Sequence, residues 1–507
     1  MKLNFLDRAL SEIAPAYALK RARSKMAFNA LDKALVRGFD GAKKGRRLGP
    51  WGASMKSANQ DISVDRETLI ARSRDLEQND PYAKGGADAL VSNVVGDGII
   101  PTPYIFNETN DTPEALKKKL LAFDNKLEAW ADTSKCDNMD QTSLYGLQGL
   151  IFRTIVNSGM CFVVKVVDPA NKALPLRLKL LEPDFLDVNK NENSDTRIIF
   201  RGIEISKKTS RVVAYWFLTE HPDGGIGGDK ADSDSVRMKV EDVLAPFNLL
   251  RPGQLIGIPW LYAGMTRLHE FSKYEDAQLV KQQVSALTVT YIQRALDTDL
   301  PEGEEEAEKY YESREPGGHI YLNPGETAEE ANPPSVDGYS TFSQNTLRGV
   351  ARVFGLTYEE LTQDYSNVNF SSARMGWVSM NRNIKMWRTH MLNPMLLDKL
   401  SDWIIEAAQI SLGDLSFVRM KWTSPRREMI DLSKEISANA VALSTGQTTL
   451  TEIYTESGRD FKKAMRERKE EIELLDSLGI KIEGINLNIN ISNSEDDNAT
   501  GKSKNNS

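Results

Sequence analysis

Cysteine is nearly missing. Cys136 and Cys161 are the only two among 507 residues, too few for a disulfide framework or a cysteine-based zinc site, and the pair fits a reducing compartment. Histidine is scarce as well: His221, His269, His319 and His390 stand far apart. His269-Glu270 lacks a second histidine four positions on, where Lys273 stands, so no zincin site is expected. No apolar run reaches about 18 residues, and no transmembrane helix is expected. The first residues lack a compact apolar segment with a small-residue cleavage site, which argues against a secretory signal, and Asp7, Glu12 and Asp32 disfavour a mitochondrial presequence. A Gly-x-Ser-x-Gly elbow is also missing. Thr500-Gly501-Lys502-Ser503 imitates the end of a phosphate loop, but Asp496 stands where its first glycine belongs. Gly224-Gly225-Ile226-Gly227-Gly228 has neither the spacing of a phosphate cradle nor a helix after it, and reads as a hairpin tip. The carboxylates of Glu302–Glu308 have no candidate base or orienting group beside them; adjacent glutamates on an exposed segment are usually solvated. No catalytic residue, metal ligand or cofactor is therefore assigned.

What is present describes a soluble globular chain, 40% hydrophobic and 27% charged. The net charge of -8 is unevenly placed. Residues 1–60 carry 13 Lys/Arg against 4 Asp/Glu, a surplus of +9, so the remainder carries -17. The first 60 residues read as a basic mobile arm. From Asp65 to Val95 the pattern is helical, interrupted at Asn79-Asp80-Pro81 and ended by Gly96-Asp97-Gly98. Leu120, Phe123, Leu127 and Trp130 share one face of a helix over 116–130. Strands are expected over Cys161–Val167, Leu176–Glu182, Arg197–Ile205 and Arg211–Leu218.

Residues 258–296 form the longest helical pattern, carrying Leu261, Met265, Leu268 and Phe271, then Val280, Val284, Leu287 and Tyr291. A helix over 342–354, with Leu347 and Val350, is its candidate antiparallel neighbour. Both stripes are narrow, and one partner helix alone is not expected to bury them. Leu268, Val280, Val284, Leu287, Leu347 and Val350 are therefore expected to pack subunits together head to tail. Between the helices, residues 297–338 hold 13 Asp/Glu and 2 Lys/Arg, with a strand-like Gly318–Leu322.

The chain is organised around Tyr339–Arg388. Gly355 sits where a glycine would end the first helix, and Thr357 with Glu360 forms a capping box whose staple is Leu356 and Leu361. Asp364-Tyr365-Ser366-Asn367-Val368-Asn369 breaks the periodicity, and Ser371 or Ser372 can cap the next helix. Trp377, Met380, Ile384, Trp387 and Met391 then recur three or four apart on one buried face. Pro394 should kink or restart this helix, which Leu396, Leu400, Trp403, Ile404 and Ala407 resume. A second helical group comes after Pro425, and the Asn/Ser/Asp-rich end should be disordered.

Several of these segments, in this order, resemble the lambda-type phage portal family. They are the RSRDL…NDPYA…NVVGDGI series from Arg72, Arg251-Pro252-Gly253-Gln254-Leu255-Ile256-Gly257-Ile258-Pro259-Trp260-Leu261, Gly349 to Leu356, and Asp364 to Arg374. Lys434 to Ala438, Gly446 to Leu450 and Phe461 to Gly479 continue the series. The resemblance implies an α+β portal fold: a wing over 61–257, a first stem helix over 258–296, a clip over 297–338 and a second stem helix over 339–355. Next would come a short helix and tunnel loop over 356–371, a long kinked helix over 372–412 and a crown over 413–483, with a tail from 484. It implies a homo-oligomeric ring, expected dodecameric, at one vertex of the virion capsid. Its partners would be the terminase large subunit, major capsid and scaffold proteins, head-completion or adaptor proteins, and double-stranded DNA read without sequence specificity. It also implies that Asn367, Asn369, Ser371, Ser372 and Arg374 face the DNA channel. The acidic balance suits a conduit, because strong phosphate contacts would brake sliding DNA. A metal-dependent nuclease using the acidic segment and a scaffold protein without a channel are the competing readings.

Overall fold

The computed structural model describes residues 55–106, 112–224, 234–286, 290–294, 326–330, 338–426 and 432–480, with a few isolated positions ahead of them. Most of the basic arm, most of the 224–228 tip, Leu287, Glu302–Glu308, Gly318–Leu322 and the tail from 484 lie outside the described residues. The architecture is α+β, with helices and antiparallel strand pairs.

Helix α1 (Ala58–Asn79) gives way to α2 (Pro81–Val94), whose cap is Asp80. Its carboxylate accepts from the N–H groups of Tyr82 and Ala83 at 2.9 and 2.8 Å, and Pro81 fills a first-turn position that needs no donor. Strand β1 (Ile100–Ile105) and helices α3 (Pro113–Ala131) and α4 (Leu144–Ser158) come next. Trp130 is fully buried, and its indole N–H donates to the Leu176 carbonyl at 2.7 Å, so this large ring leaves no polar atom stranded. Helix α4 ends at Gly159 (φ 85°), where a Cβ would lie 2.5 Å from the Ile258 backbone.

The strands β2 (Phe162–Val167), β3 (Leu176–Leu181), β4 (Glu192–Asn193), β5 (Arg197–Phe200), β6 (Ile203–Ser206), β7 (Val212–Leu218), β8 (Ser235–Lys239) and β9 (Val243–Leu244) make two antiparallel sheets. One has the order β3-β2-β9; the other runs β4 through β8. The single strand expected over Arg197–Ile205 is a hairpin. Arg201 and Gly202 both take positive φ, 49° and 78°, which is the two-residue turn matched to strand twist. Phe162 meets Tyr215 and Phe217 edge-on, with centroids 5.4 and 4.9 Å away, in a core of their own. Glu204 is buried on β6. Arg237 donates to it at 2.8 and 3.0 Å and Trp216 at 3.2 Å, and the Arg237 bonds hold its carboxyl below the usual range.

The continuous helix expected over 258–296 is shorter. A 3₁₀ turn (Trp260–Ala263) leads into α5 (Met265–Ala286), and Thr290–Arg294 forms β10, paired antiparallel with β11 (Glu326–Glu330). Thr290-Tyr291-Ile292 is β-branched and aromatic, a composition that favours strand over helix. Helix α6 (Tyr339–Phe354) returns antiparallel to α5: Gly264 lies against Val353 at one end, and Tyr274 stacks on Tyr339 at the other.

After α7 (Tyr358–Thr362), helix α8 (Phe370–Trp387) runs through a π-helical stretch (Arg388–Leu397) into α9 (Asp398–Leu412). Pro394 lies inside that stretch, so the helix neither stops nor restarts; the wider winding absorbs the missing N–H. Strand β12 (Val418–Thr423) pairs with β1, whose Pro101 and Pro103 cannot donate to a ladder. Helices α10 (Leu432–Ser444), α11 (Leu450–Glu456) and α12 (Phe461–Ser477) complete the described chain.

Candidate functional site

The loop from Thr362 to Phe370 is built from its ends. Gly355 (φ 76°) terminates α6, and Thr357 caps α7 by accepting from the Glu360 N–H at 3.1 Å. The expected capping box is only half present. Glu360 turns its carboxylate away to accept from Asn93 Nδ2 at 2.8 Å, while Leu356 and Leu361 are both buried as the staple requires. Gln363 ends α7 in the left-handed region (φ 57°).

Asp364 then organises the turn. Its carboxylate accepts from the Ser366 hydroxyl at 2.6 Å and N–H at 3.1 Å, and from Tyr358 Oη at 3.3 Å. Those Ser366 bonds, led by the hydroxyl, hold its carboxyl below the usual range. Tyr365, Ser366, Asn367 and Asn369 are exposed.

The residue capping α8 is Asn369, not Ser371 or Ser372. Asn369 Oδ1 accepts from the Ser372 N–H at 2.8 Å, and Ser372 Oγ in return accepts from the Asn369 N–H at 3.2 Å. Ser372 thus sits at the third helical position as the reciprocal member of the box, where its hydroxyl can reach back. Asn367, Asn369, Ser371, Ser372 and Arg374 lie together on this loop and the first turns of α8, all at or near the surface.

The far end of α8 is anchored. Met380, Ile384, Trp387 and Met391 are buried, and Asn383 Nδ2 donates to the Gly355 carbonyl at 3.0 Å. Arg388 donates to the carbonyls of Val94 and Asn93, both at 2.8 Å, satisfying the open end of α2 without any carboxylate. Burial pushes its guanidinium down to about 10. Asn93 therefore binds the start of the π-helical stretch through its carbonyl and α7 through its side chain. Sequence reasoning missed this tie because it joins positions far apart in the chain.

The residues expected between subunits divide. Leu268, Leu347 and Val350 are buried inside this chain, where they hold α5 to α6 and α2, so they are not available to a neighbour. Val280 is exposed. Val284 lies in the last turn of α5, and Leu287 is outside the described residues. Glu182, Asp184 and His221 also converge, but Arg74 already bonds both carboxylates, Asp184 at 2.6 Å, so a protein cation holds them.

A family profile described as "Phage portal protein, lambda family" matches residues 44–388. The chain is 25% identical over 469 residues to a probable portal protein of Halomonas phage phiHAP-1, covering 88% of each. It is 21% identical over 505 residues to portal protein B of Escherichia phage lambda, covering 87% of this chain and 90% of that one. Among solved structures, a chain from the neck of the native GTA particle with C12 symmetry is similar at a TM-score of 0.45 and 13% identity, covering 82% of this chain and 99% of that chain.

Proposed function

This chain belongs to the lambda family of phage portal proteins, and we propose from that membership that copies of it close into a ring, dodecameric in our reading, at one capsid vertex. The ring docks the terminase large subunit, passes double-stranded DNA inward during packaging and outward at ejection, and meets capsid, scaffold and head-completion proteins. The motor supplies the chemistry; this chain contributes a shaped passage with no catalytic part. Within it, residues 61–257 serve as the wing, α5 and α6 as the stem, the acidic segment 297–338 as the clip that meets the motor, and residues 413–483 as the crown.

The observation that carries the DNA-channel assignment is the loop ahead of α8. It is polar and exposed, it presents Asn367 and Asn369, and it ends on a helix N-terminus whose partial positive charge favours phosphate. Contacts of this kind are weak and indifferent to sequence, which permits sliding. The test is complementation of a phage lacking its portal with a chain whose loop is a few residues shorter. Rings should form and bind the motor, while DNA is packaged poorly or lost. Normal yields of full-length packaged genome would refute the assignment. The nuclease alternative gains no support from the family match.

A further inference from the structure

Two exposed helix faces in this chain are complementary in charge, and each carries exposed apolar side chains. From Phe370 to Leu397 there is no Asp or Glu, although acids make up 72 of the 507 residues and proportion would place about four there. Arg374, Arg382 and Lys385 lie on α8 and form no ion pair among the described residues. Met375, Val378 and Met386 are exposed among them, Met375 to 77%. Ser371, Arg374, Met375, Val378, Ser379 and Arg382 line one hollow, to which no other described element contributes.

The distal part of α12 and the residues beyond it are the converse. Positions 470–480 hold Glu470, Glu471, Glu473 and Asp476, with Lys and Arg missing before Lys481. Glu473 pairs with Lys469 of its own helix at 3.5 Å, leaving the others unengaged by any described ion pair. Leu474 and Leu478 are 59% and 61% exposed, and in an α-helix Leu474 and Leu478 fall on an arc bounded by Glu470 and Glu471. Ala464 is the only buried residue of α12, so little among the described residues covers the distal half.

We infer that the distal end of α12 in one copy seats on the Met375–Met386 face of α8 in a neighbouring copy, beyond the Arg374 turn that the channel reading uses. Large exposed apolar residues mixed with one sign of charge mark a binding surface, and a match in sign fixes which surface meets which. Two different faces of one chain that fit each other give a heterologous contact, which generates a ring when the rotation closes. The inference rests on the proposed ring.

The test is a charge swap in the full-length protein, read by native mass spectrometry and sedimentation velocity across protein concentration. Arg382→Glu with Lys385→Glu should raise the concentration for half-assembly by about tenfold or more. Glu470→Lys with Glu471→Lys should do the same, and the four changes together should restore assembly toward wild type. None of the four side chains is buried, so each variant should keep the wild-type circular dichroism spectrum. Unchanged assembly in both double variants, or no recovery in the quadruple one, would overturn the inference. So would intact rings of Arg382→Glu/Lys385→Glu that merely lose DNA, since the α8 face would then be a DNA contact. A wild-type chain that is monomeric at micromolar concentration would instead refute the ring itself.

Discussion

Asn369 allows the channel assignment and the bland alternative, a solvated connector, to be separated by two substitutions with opposite consequences. Asn369→Asp keeps an oxygen where Oδ1 accepts from the Ser372 N–H at 2.8 Å and adds negative charge at the positive end of α8. Local stability should therefore be unchanged or raised, by up to about 1 kcal/mol. Asn369→Ala removes the acceptor and should cost the helix start about 1 kcal/mol. Against DNA the order reverses. A carboxylate about 6 Å from a phosphate is repelled by roughly 0.7 kcal/mol in water and about 3 kcal/mol at an effective dielectric near 20. A ring multiplies this by its number of copies, whereas alanine adds no charge. The assay measures DNase-protected genome in particles made with each variant, alongside the melting temperature of the purified protein. Asn369→Asp should melt at or above wild type yet package badly. Asn369→Ala should melt slightly lower and package better than the aspartate variant. An aspartate variant with normal packaged genome, or an alanine variant with the larger packaging defect, would refute the reasoning.

Replacing Val284 or Leu287 with Asp should yield monomers or misassembled oligomers by native mass spectrometry. Deleting part of 302–316 should leave rings visible in negative stain but abolish terminase binding in a pull-down; collapse of the rings would make the segment structural. Glu204 should make stability depend on acid. Its carboxyl is held below the usual range by Arg237, so its contribution is complete above the ordinary glutamate range and is lost as pH falls through its lowered value. Melting measured from pH 7 to pH 3 should show this decline in wild type and a flatter profile in Glu204→Gln; parallel profiles would contradict it.

The sequence was most legible where local chemistry decides the structure. Asn79-Asp80-Pro81 announces a helix boundary because aspartate caps and proline starts a helix, and the structure builds α2 on those last two residues. Gly355 likewise ends α6. Of the period-3.6 stripe, Met380, Ile384, Trp387 and Met391 are buried as periodicity requires, and Trp377 packs half-buried against the same core. Misreadings arose where two adjacent signals compete. Arg201-Gly202 looked like strand because its flanks are rich in isoleucine, but a positive φ at both residues folds the chain back. Asn369 takes the cap from the serines because a capping box needs its partner three residues later, and Ser372 supplies that group. Pro394 is tolerated because the surrounding turns widen. Sequence spacing could not show that Leu268, Leu347 and Val350 are covered within one chain, since burial by α2 involves positions remote in sequence. The Asn93 link between α7 and Arg388 was hidden for the same reason.

The central claim is that copies of this chain form a closed ring with a passage through it. Electron microscopy of the purified full-length protein at micromolar concentration, with particle mass measured on the same sample, tests it most directly. The account predicts rings with an axial channel, of a mass equal to a fixed whole number of subunits, expected to be twelve. A well-folded monomer, or open aggregates without a channel, would contradict it.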